Sequence, residues 1–158
     1  MRLLWIFLSL IAVTWLYTKS KSKPDRATSQ VAGLPPGAAG RLVGPGTFTY
    51  EVRGEFAYQD ELWAVAGTEP KEAFEKSVTS TLIYEDKNEH DPMAVCVEID
   101  GYRVDYLSRE DARSYREQLK AKGAAGVTLT CAGKITTTFN DIDEEWQFEV
   151  WLDLPVNE

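Results

Sequence analysis

Asp100-Gly101, set between two runs of alternating apolar residues, constrains this chain more than any other feature. A type I′ turn needs positive φ at both central residues, and Asp-Gly meets that need at low steric cost. A two-residue turn also fixes the register of the strands it joins. Ile99 then faces Tyr102, Val97 faces Val104 and Val95 faces Tyr106, so all six form one apolar stripe. On the other side Glu98 opposes Arg103, a cross-strand charge pair worth about 0.2–1 kcal/mol, and Cys96 opposes Asp105.

The elements around the hairpin follow from periodicity. Ser77 to Glu85 is rich in β-branched residues and predicts a strand, with Val78, Leu82 and Tyr84 on one face. Between it and the hairpin lies the polar loop Glu85-Asp86-Lys87-Asn88-Glu89-His90-Asp91-Pro92, which holds the only histidine. Thr47 to Arg53 alternates as a half-buried strand. Tyr58 to Ala66 predicts a short helix with Leu62, Trp63 and Ala66 at helical spacing, stopped by Gly67. Glu69 to Lys76 is a polar connection. After Leu107, Ser108 is the N-cap of a second helix, with Asp111 in a capping-box position and Gly123 past its end. Ala112, Tyr115 and Leu119 give that helix its buried stripe. Val127 to Cys131 and Ile135 to Thr138 read as strand segments with a bulge at Gly133. Trp146 to Leu154 closes the domain, with Trp146, Phe148, Val150 and Leu152 inward and Trp151 outward. The expected fold is mainly β with two short helices: a small OB-like, partly open barrel of five or six strands.

The barrel occupies residues 47–158, and what precedes it differs in composition. Leu3 to Tyr17 is apolar except for Ser9 and Thr14, and at 1.5 Å per residue spans about 23 Å. Arg2 and Lys19 can snorkel to the interface, where Trp5, Trp15 and Tyr17 belong. A cleaved signal peptide is the rival reading, but no small-x-small cleavage site follows the apolar run. Residues 1–18 are therefore expected to anchor the chain in the cell membrane as a single pass. Lys19, Lys21, Lys23 and Arg26 on the far flank place the following domain in the cytoplasm. Residues 19–46 hold four prolines and five glycines and read as a flexible linker with a reach of about 30 Å. Their lysines either touch anionic headgroups or serve as topogenic charge.

Charge limits the partners. Residues 46–158 carry eleven Lys/Arg against twenty-four Asp/Glu, a net charge of −13. Such a surface repels phosphate backbones at long range, which excludes non-specific nucleic-acid coating but leaves room for a small basic site. Cys96 and Cys131 both lie in apolar runs without a partner at metal-ligand spacing and read as buried free thiols. No GxxxxGK[ST], GxGxxG or G-x-S-x-G is present. Asp86-x-Asn88-x-His90 starts like a calcium loop, but its sixth position is Asp91 and its twelfth Val97, so the pattern fails. Asp86, Glu89, His90 and Asp91 could hold a metal. The simpler reading is a solvated loop in which Asn88 and Asp91 bond backbone amides and shape the turn. No metal, cofactor or catalytic constellation is expected.

Three blocks in order carry a family resemblance. They are Gly54-Glu55-x-x-Tyr58-Gln59-x-x-Leu62, then Leu82-x-x-Glu85-x-x-Asn88-x-His90-Asp91-x-x-Ala94-Val95-x-Val97, then Ile99-x-Gly101-x-x-Val104-x-Tyr106-Leu107-Ser108-Arg109-x-x-Ala112-x-x-Tyr115. Over roughly residues 48–120 the chain resembles the HIRAN domain, and its ending is similar to compact stand-alone bacterial members. The resemblance implies a modified OB-like barrel that captures the 3′-hydroxyl end of single-stranded DNA, without catalysis. It places Tyr58 as a stacking aromatic, Asn88 as a polar contact and His90 where the loop's stacking tyrosine stands. Asp91 would accept from the 3′-hydroxyl, Tyr106 would contact a base and Arg109 a phosphate. The chain departs from the DNA-end binders at Phe56-Ala57, where they carry an arginine, and at Asp105, where glycine is usual. Two functions are thus expected: a membrane-tethered module binding nucleic-acid ends, or a membrane-tethered domain of the same fold that binds a cytoplasmic protein or peptide.

Overall fold

The computed structural model describes residues 34–52 and 57–155. The expected anchor at residues 1–18 lies outside them, as do the first part of the linker, Gly54 and Glu55. Among the described residues no helix is long and apolar enough to cross a membrane.

Among the described residues, seven strands and two helices follow in the order β1 (Gly40–Arg41), β2 (Tyr50–Val52), α1 (Gln59–Ala66), β3 (Glu75–Tyr84), β4 (Val95–Ile99), β5 (Tyr102–Tyr106), α2 (Arg109–Ala121), β6 (Leu129–Asn140) and β7 (Glu145–Asp153). They build one sheet in the order β2-β7-β6-β3-β4-β5, curled into an OB-like, partly open barrel. The two-residue β1 adds in parallel to the start of β6. α1 lies against β5, at one end of the sheet path, and β7, next to the other end. Its first residue acts almost as a strand residue: the Gln59 side-chain amide donates to Phe148 O (3.0 Å) and accepts from Phe148 N–H (2.9 Å).

The core fills the curl. Leu82, Val95, Val97, Ile135, Phe148 and Leu152 are fully buried, with Leu62 and Val65 of α1 and Ala112, Tyr115 and Leu119 of α2 packed among them. Burying side chains of this kind is the main favourable term in folding, at about 1.5–3 kcal/mol each. On α1 the inward residues are Leu62 and Val65; Trp63, expected inside, is 45% exposed. Gly67 ends this helix in the left-handed region, donating its N–H to Trp63 O at 2.9 Å. On α2 the Ser108 Oγ accepts the Asp111 N–H (3.1 Å) and donates to Asp111 Oδ2 (2.6 Å), so the cap is reciprocal through the hydroxyl.

Three expectations are corrected. First, the hairpin turn forms as read, with Asp100 and Gly101 at φ 52° and 83°, and Ile99 pairs Tyr102 and Glu98 pairs Arg103. The next pairs are Val97 with Asp105 and Cys96 with Tyr106. Val104 is an extra residue on β5, a β-bulge, and from there every side chain changes face. Tyr106 therefore leaves the apolar stripe and joins the Arg103 side. Second, β6 runs unbroken through Gly133, which pairs Val78 on one side and Leu152 on the other. Glycine is there for space: a Cβ would stand 2.6 Å from Ser80 Oγ and 3.2 Å from Val78 Cγ2. Third, the stretch expected as linker is folded in its last part. Ala39 and Leu42 N–H groups donate to Thr128 and Thr130 carbonyls (2.9 and 2.7 Å), and Gly46 N–H donates to Asp153 Oδ1 (2.8 Å).

Cys96 and Cys131 are free and buried. Burial raises both thiols from the ordinary 9.0 to about 12. Unfolded thiols ionise near 9, so the folded chain binds more protons than the unfolded one between pH 9 and 12, and stability falls as pH rises through that window. The slope is expected to reach about 1.4 kcal/mol per pH unit for each thiol. Urea denaturation between pH 8 and 10.5 should show this loss, and Cys131→Ala should lessen it. An unchanged curve in the variant would contradict the assignment.

Candidate functional site

The polar loop between β3 and β4 is built by its own side chains. Asn88 Oδ1 accepts the N–H groups of His90 (3.0 Å) and Asp91 (3.2 Å), and Asp91 Oδ1 accepts that of Met93 (2.9 Å). Two Asx-type turns thus hold the loop tip, with His90 exposed at its crest. The second Asp91 oxygen faces α2. Arg109 Nε lies 3.7 Å from it and an Arg113 terminal nitrogen 4.0 Å. These distances exceed hydrogen bonds, so the guanidinium groups are attracted to the carboxylate without being held by it. Both are open to solvent, at 72% and 53% side-chain exposure, while Asp91 is at 14%.

A second cluster adjoins the loop. Glu85 accepts from Asn88 Nδ2 (3.0 Å) and from the Tyr106 hydroxyl (2.9 Å), and it pairs with Arg103. Arg103 also donates to the Tyr106 hydroxyl at 2.9 Å. Burial alone would raise the Glu85 pKa, but the hydrogen bonds from Asn88 and Tyr106 and the Arg103 charge outweigh it and hold the carboxyl below its usual range. Tyr106 shifts the opposite way, because burial and its bond to Glu85 both disfavour the phenolate. The bulge makes this cluster possible, since straight alternation would have turned Tyr106 into the core.

A third anchor lies beneath. Arg116 of α2 is 8% exposed. Its guanidinium donates to Asp86 Oδ1 (2.7 Å) and Ala94 O (3.0 Å) and covers the Tyr84 ring at 4.1 Å. One planar group thus ties both ends of the loop to the helix.

The structure brings Asn88, His90, Asp91 and Arg109 together at one end of the barrel and links Tyr106 to them through Glu85. Tyr58 is half-buried at the N-cap of α1; among the described residues no hydrogen bond or ion pair joins it to the loop. Sequence reasoning missed Glu85, Arg103, Arg113 and Arg116 as members of the cluster. Arg113 carried one usable signal, its i, i+4 spacing from Arg109 on a capped helix. Arg116 carried a weaker one, its position four residues beyond buried Ala112. Chemically, the arrangement offers a carboxylate acceptor beside two solvent-exposed cations, with His90 exposed on the same loop. Comparison with known proteins returns no matching family model, no matching curated protein and no matching solved structure.

Proposed function

We propose that this domain is a non-catalytic, HIRAN-like module that captures the 3′ end of single-stranded DNA, tethered to the cytoplasmic face of the cell membrane by residues 1–18. The observation that supports it is the placement of Asp91 beside Arg109 and Arg113. A terminal hydroxyl can donate to the carboxylate while the exposed arginines take the adjoining phosphate. His90 is available for a base face. The net charge of −13 opposes DNA at long range, but four of the five arginines of residues 46–158 fall within residues 103–116. Of these, Arg103 is paired with Glu85 and Arg116 is buried against Asp86, so Arg109 and Arg113, which face Asp91 and stay open to solvent, are the cations a phosphate would meet. The same acidity favours a second reading, a protein-interaction domain that keeps the fold without DNA-end capture.

The deciding measurement is binding of labelled single-stranded oligonucleotides to the full chain at low salt. An oligonucleotide with a free 3′-hydroxyl should bind at least tenfold tighter than its 3′-phosphorylated twin, since a hydrogen bond to a charged group is worth about 1.5–3 kcal/mol. Asp91→Asn keeps the acceptor for the Met93 N–H and removes the charge, so it should abolish that preference while leaving the loop folded. Arg109→Ala should weaken both oligonucleotides alike and flatten the salt dependence by about one unit of slope. Equal or absent binding of the two would sink the proposal and leave the protein-interaction reading.

A further inference from the structure

Resting on the reading of Asp91 as the acceptor for a terminal 3′-hydroxyl, we infer that Glu85 is the positioning residue of the end-binding loop, served by Tyr106 and Arg103. Tyr106 thereby takes a role other than the base contact that the HIRAN resemblance implies. Everything turns on the side-chain amide of Asn88. Such an amide has an acceptor end and a donor end of nearly equal shape, so either could face the loop tip. The tip presents donors, the His90 and Asp91 N–H groups, at 3.0 and 3.2 Å from Asn88 Oδ1. Only the oxygen can satisfy them. On the other side Glu85 Oε2 lies 3.0 Å from Asn88 Nδ2, and an ionised carboxylate only accepts. Glu85 therefore locks the amide in the one orientation that captures the Asp91 N–H. Asp91 Oδ1 in turn takes the Met93 N–H, which leaves Oδ2 facing Arg109 and Arg113. The aim of that oxygen is thus set through Asn88, by a carboxylate only 19% exposed.

Glu85 is itself held from β5. Its Oε2 also accepts the Tyr106 hydroxyl (2.9 Å), and its Oε1 pairs with Arg103. Arg103 donates to the same hydroxyl (2.9 Å), and its guanidinium lies 5.6 Å from the centre of the Tyr106 ring. A hydroxyl has one proton. That of Tyr106 is given to Glu85 and is not free for a base. Asn88, Tyr106 and Arg103 thus aim donors at one carboxylate from the loop and from the sheet. Glutamine at this position would bring a single acceptor, and donors of its own, to a site that needs only acceptors. The backbone of the loop does not depend on this side chain. Glu85 O accepts the Asn88 N–H, and Glu85 N–H donates to Ala94 O, both at 3.0 Å. Substitution therefore frees the Asn88 amide without opening the base of the loop.

Two measurements on the purified full chain test this, one of them without DNA. In Glu85→Gln, hydrogen exchange of the His90 and Asp91 amides should quicken by about fivefold or more, as expected for one lost hydrogen bond. The Asn88 amide and those of the sheet should keep their wild-type rates. With labelled oligonucleotides, the preference for a free 3′-hydroxyl should fall from tenfold or more to about twofold. The loss should lie in the hydroxyl-ended oligonucleotide alone. Charge by itself predicts the opposite, since removing a carboxylate should tighten both oligonucleotides slightly. Collapse of the loop would weaken both. Tyr106→Phe keeps the ring for stacking and removes only the hydroxyl, and it should shift exchange and preference in the same direction. The double variant should be no worse than Glu85→Gln, because both act through one oxygen. Unchanged exchange of His90 and Asp91 in Glu85→Gln would overturn the positioning role whatever the DNA result. A full preference retained in Glu85→Gln, or additive effects in the double variant, would overturn it as well. Faster exchange in a chain whose wild type shows no end preference would uphold Glu85 as the loop's positioning residue and remove the 3′-end reading alone.

Discussion

Arg116→Ala is expected to lower the unfolding free energy by about 2–4 kcal/mol, the range for losing charge-assisted hydrogen bonds and a desolvated cation–π contact together. Arg116 is nearly buried yet bonds Asp86 at one end of the loop and Ala94 O at the other, with its plane over Tyr84. Alanine leaves the Ala94 carbonyl with the Glu85 N–H as its remaining donor and opens a void against the ring. The damage should be local as well as global. Hydrogen exchange of the Asn88 and Ala94 amides, which bond Glu85 O and Asp91 O, should lose protection before the sheet does. Two controls separate geometry from charge. Arg116→Lys keeps the charge without the fork and should recover less than half of the loss. Asp86→Asn should cost under about 1 kcal/mol, because Asp86 is 72% exposed and the pair is screened on that side. Equal effects of Arg116→Lys and Arg116→Ala would mean that the fork, not the charge, carries the whole contribution. Full rescue by lysine would contradict the geometric account.

Gly133→Val is expected to cost about 3 kcal/mol or more, at the upper end of overpacking effects. The position is buried between β3 and β7, and even a lone Cβ would meet Ser80 Oγ at 2.6 Å. A branched side chain must push two strands apart or displace Leu152, whose Cδ2 stands 3.4 Å away. Gly133→Ala should cost less, about 1–2 kcal/mol, because one side-chain oxygen is the main obstacle. That oxygen is itself fully buried, and among the described residues it has no hydrogen-bond partner. Ser80→Ala should therefore be neutral or slightly stabilising. The double variant Ser80→Ala/Gly133→Ala should be more stable than the sum of the single effects by about 1 kcal/mol. Urea denaturation of the four proteins decides it, and strict additivity would show that the Ser80 contact is not the obstacle.

These two positions also mark where the chain's own pattern stopped being readable. A glycine inside a strand signals either a bulge or a close approach, and nothing near Gly133 in sequence distinguishes them. The choice lies with Ser80, fifty-three residues away, across the β3–β6 pairing. The actual bulge falls at Val104, where uninterrupted alternation predicts regular pairing. Asp105 Oδ1 takes up the Tyr106 N–H at 2.7 Å just past it, and the freed Tyr106 hydroxyl finds Glu85 at the start of the loop after β3. Arg116 was only weakly marked for a similar reason. Charged residues are buried only with partners, and its partners arrive from thirty and twenty-two residues earlier.

The sequence by itself determined whatever is settled within a few residues. The Asp100-Gly101 turn, the Ser108 cap, the Gly67 stop and the Asx turns of Asn88 and Asp91 each close a bond between near neighbours, so local chemistry fixes them wherever the segment sits. It also determined the mainly β class, because alternation needs only a buried face. Only the tertiary structure decided the continuity of β6, the docking of residues 39–46, the bulge that turns Tyr106 outward and the arginines that gather around Asp91. Each of these depends on a group brought in from a distant strand or helix. Such a partner exists only once the sheet has curled and α2 has packed against it.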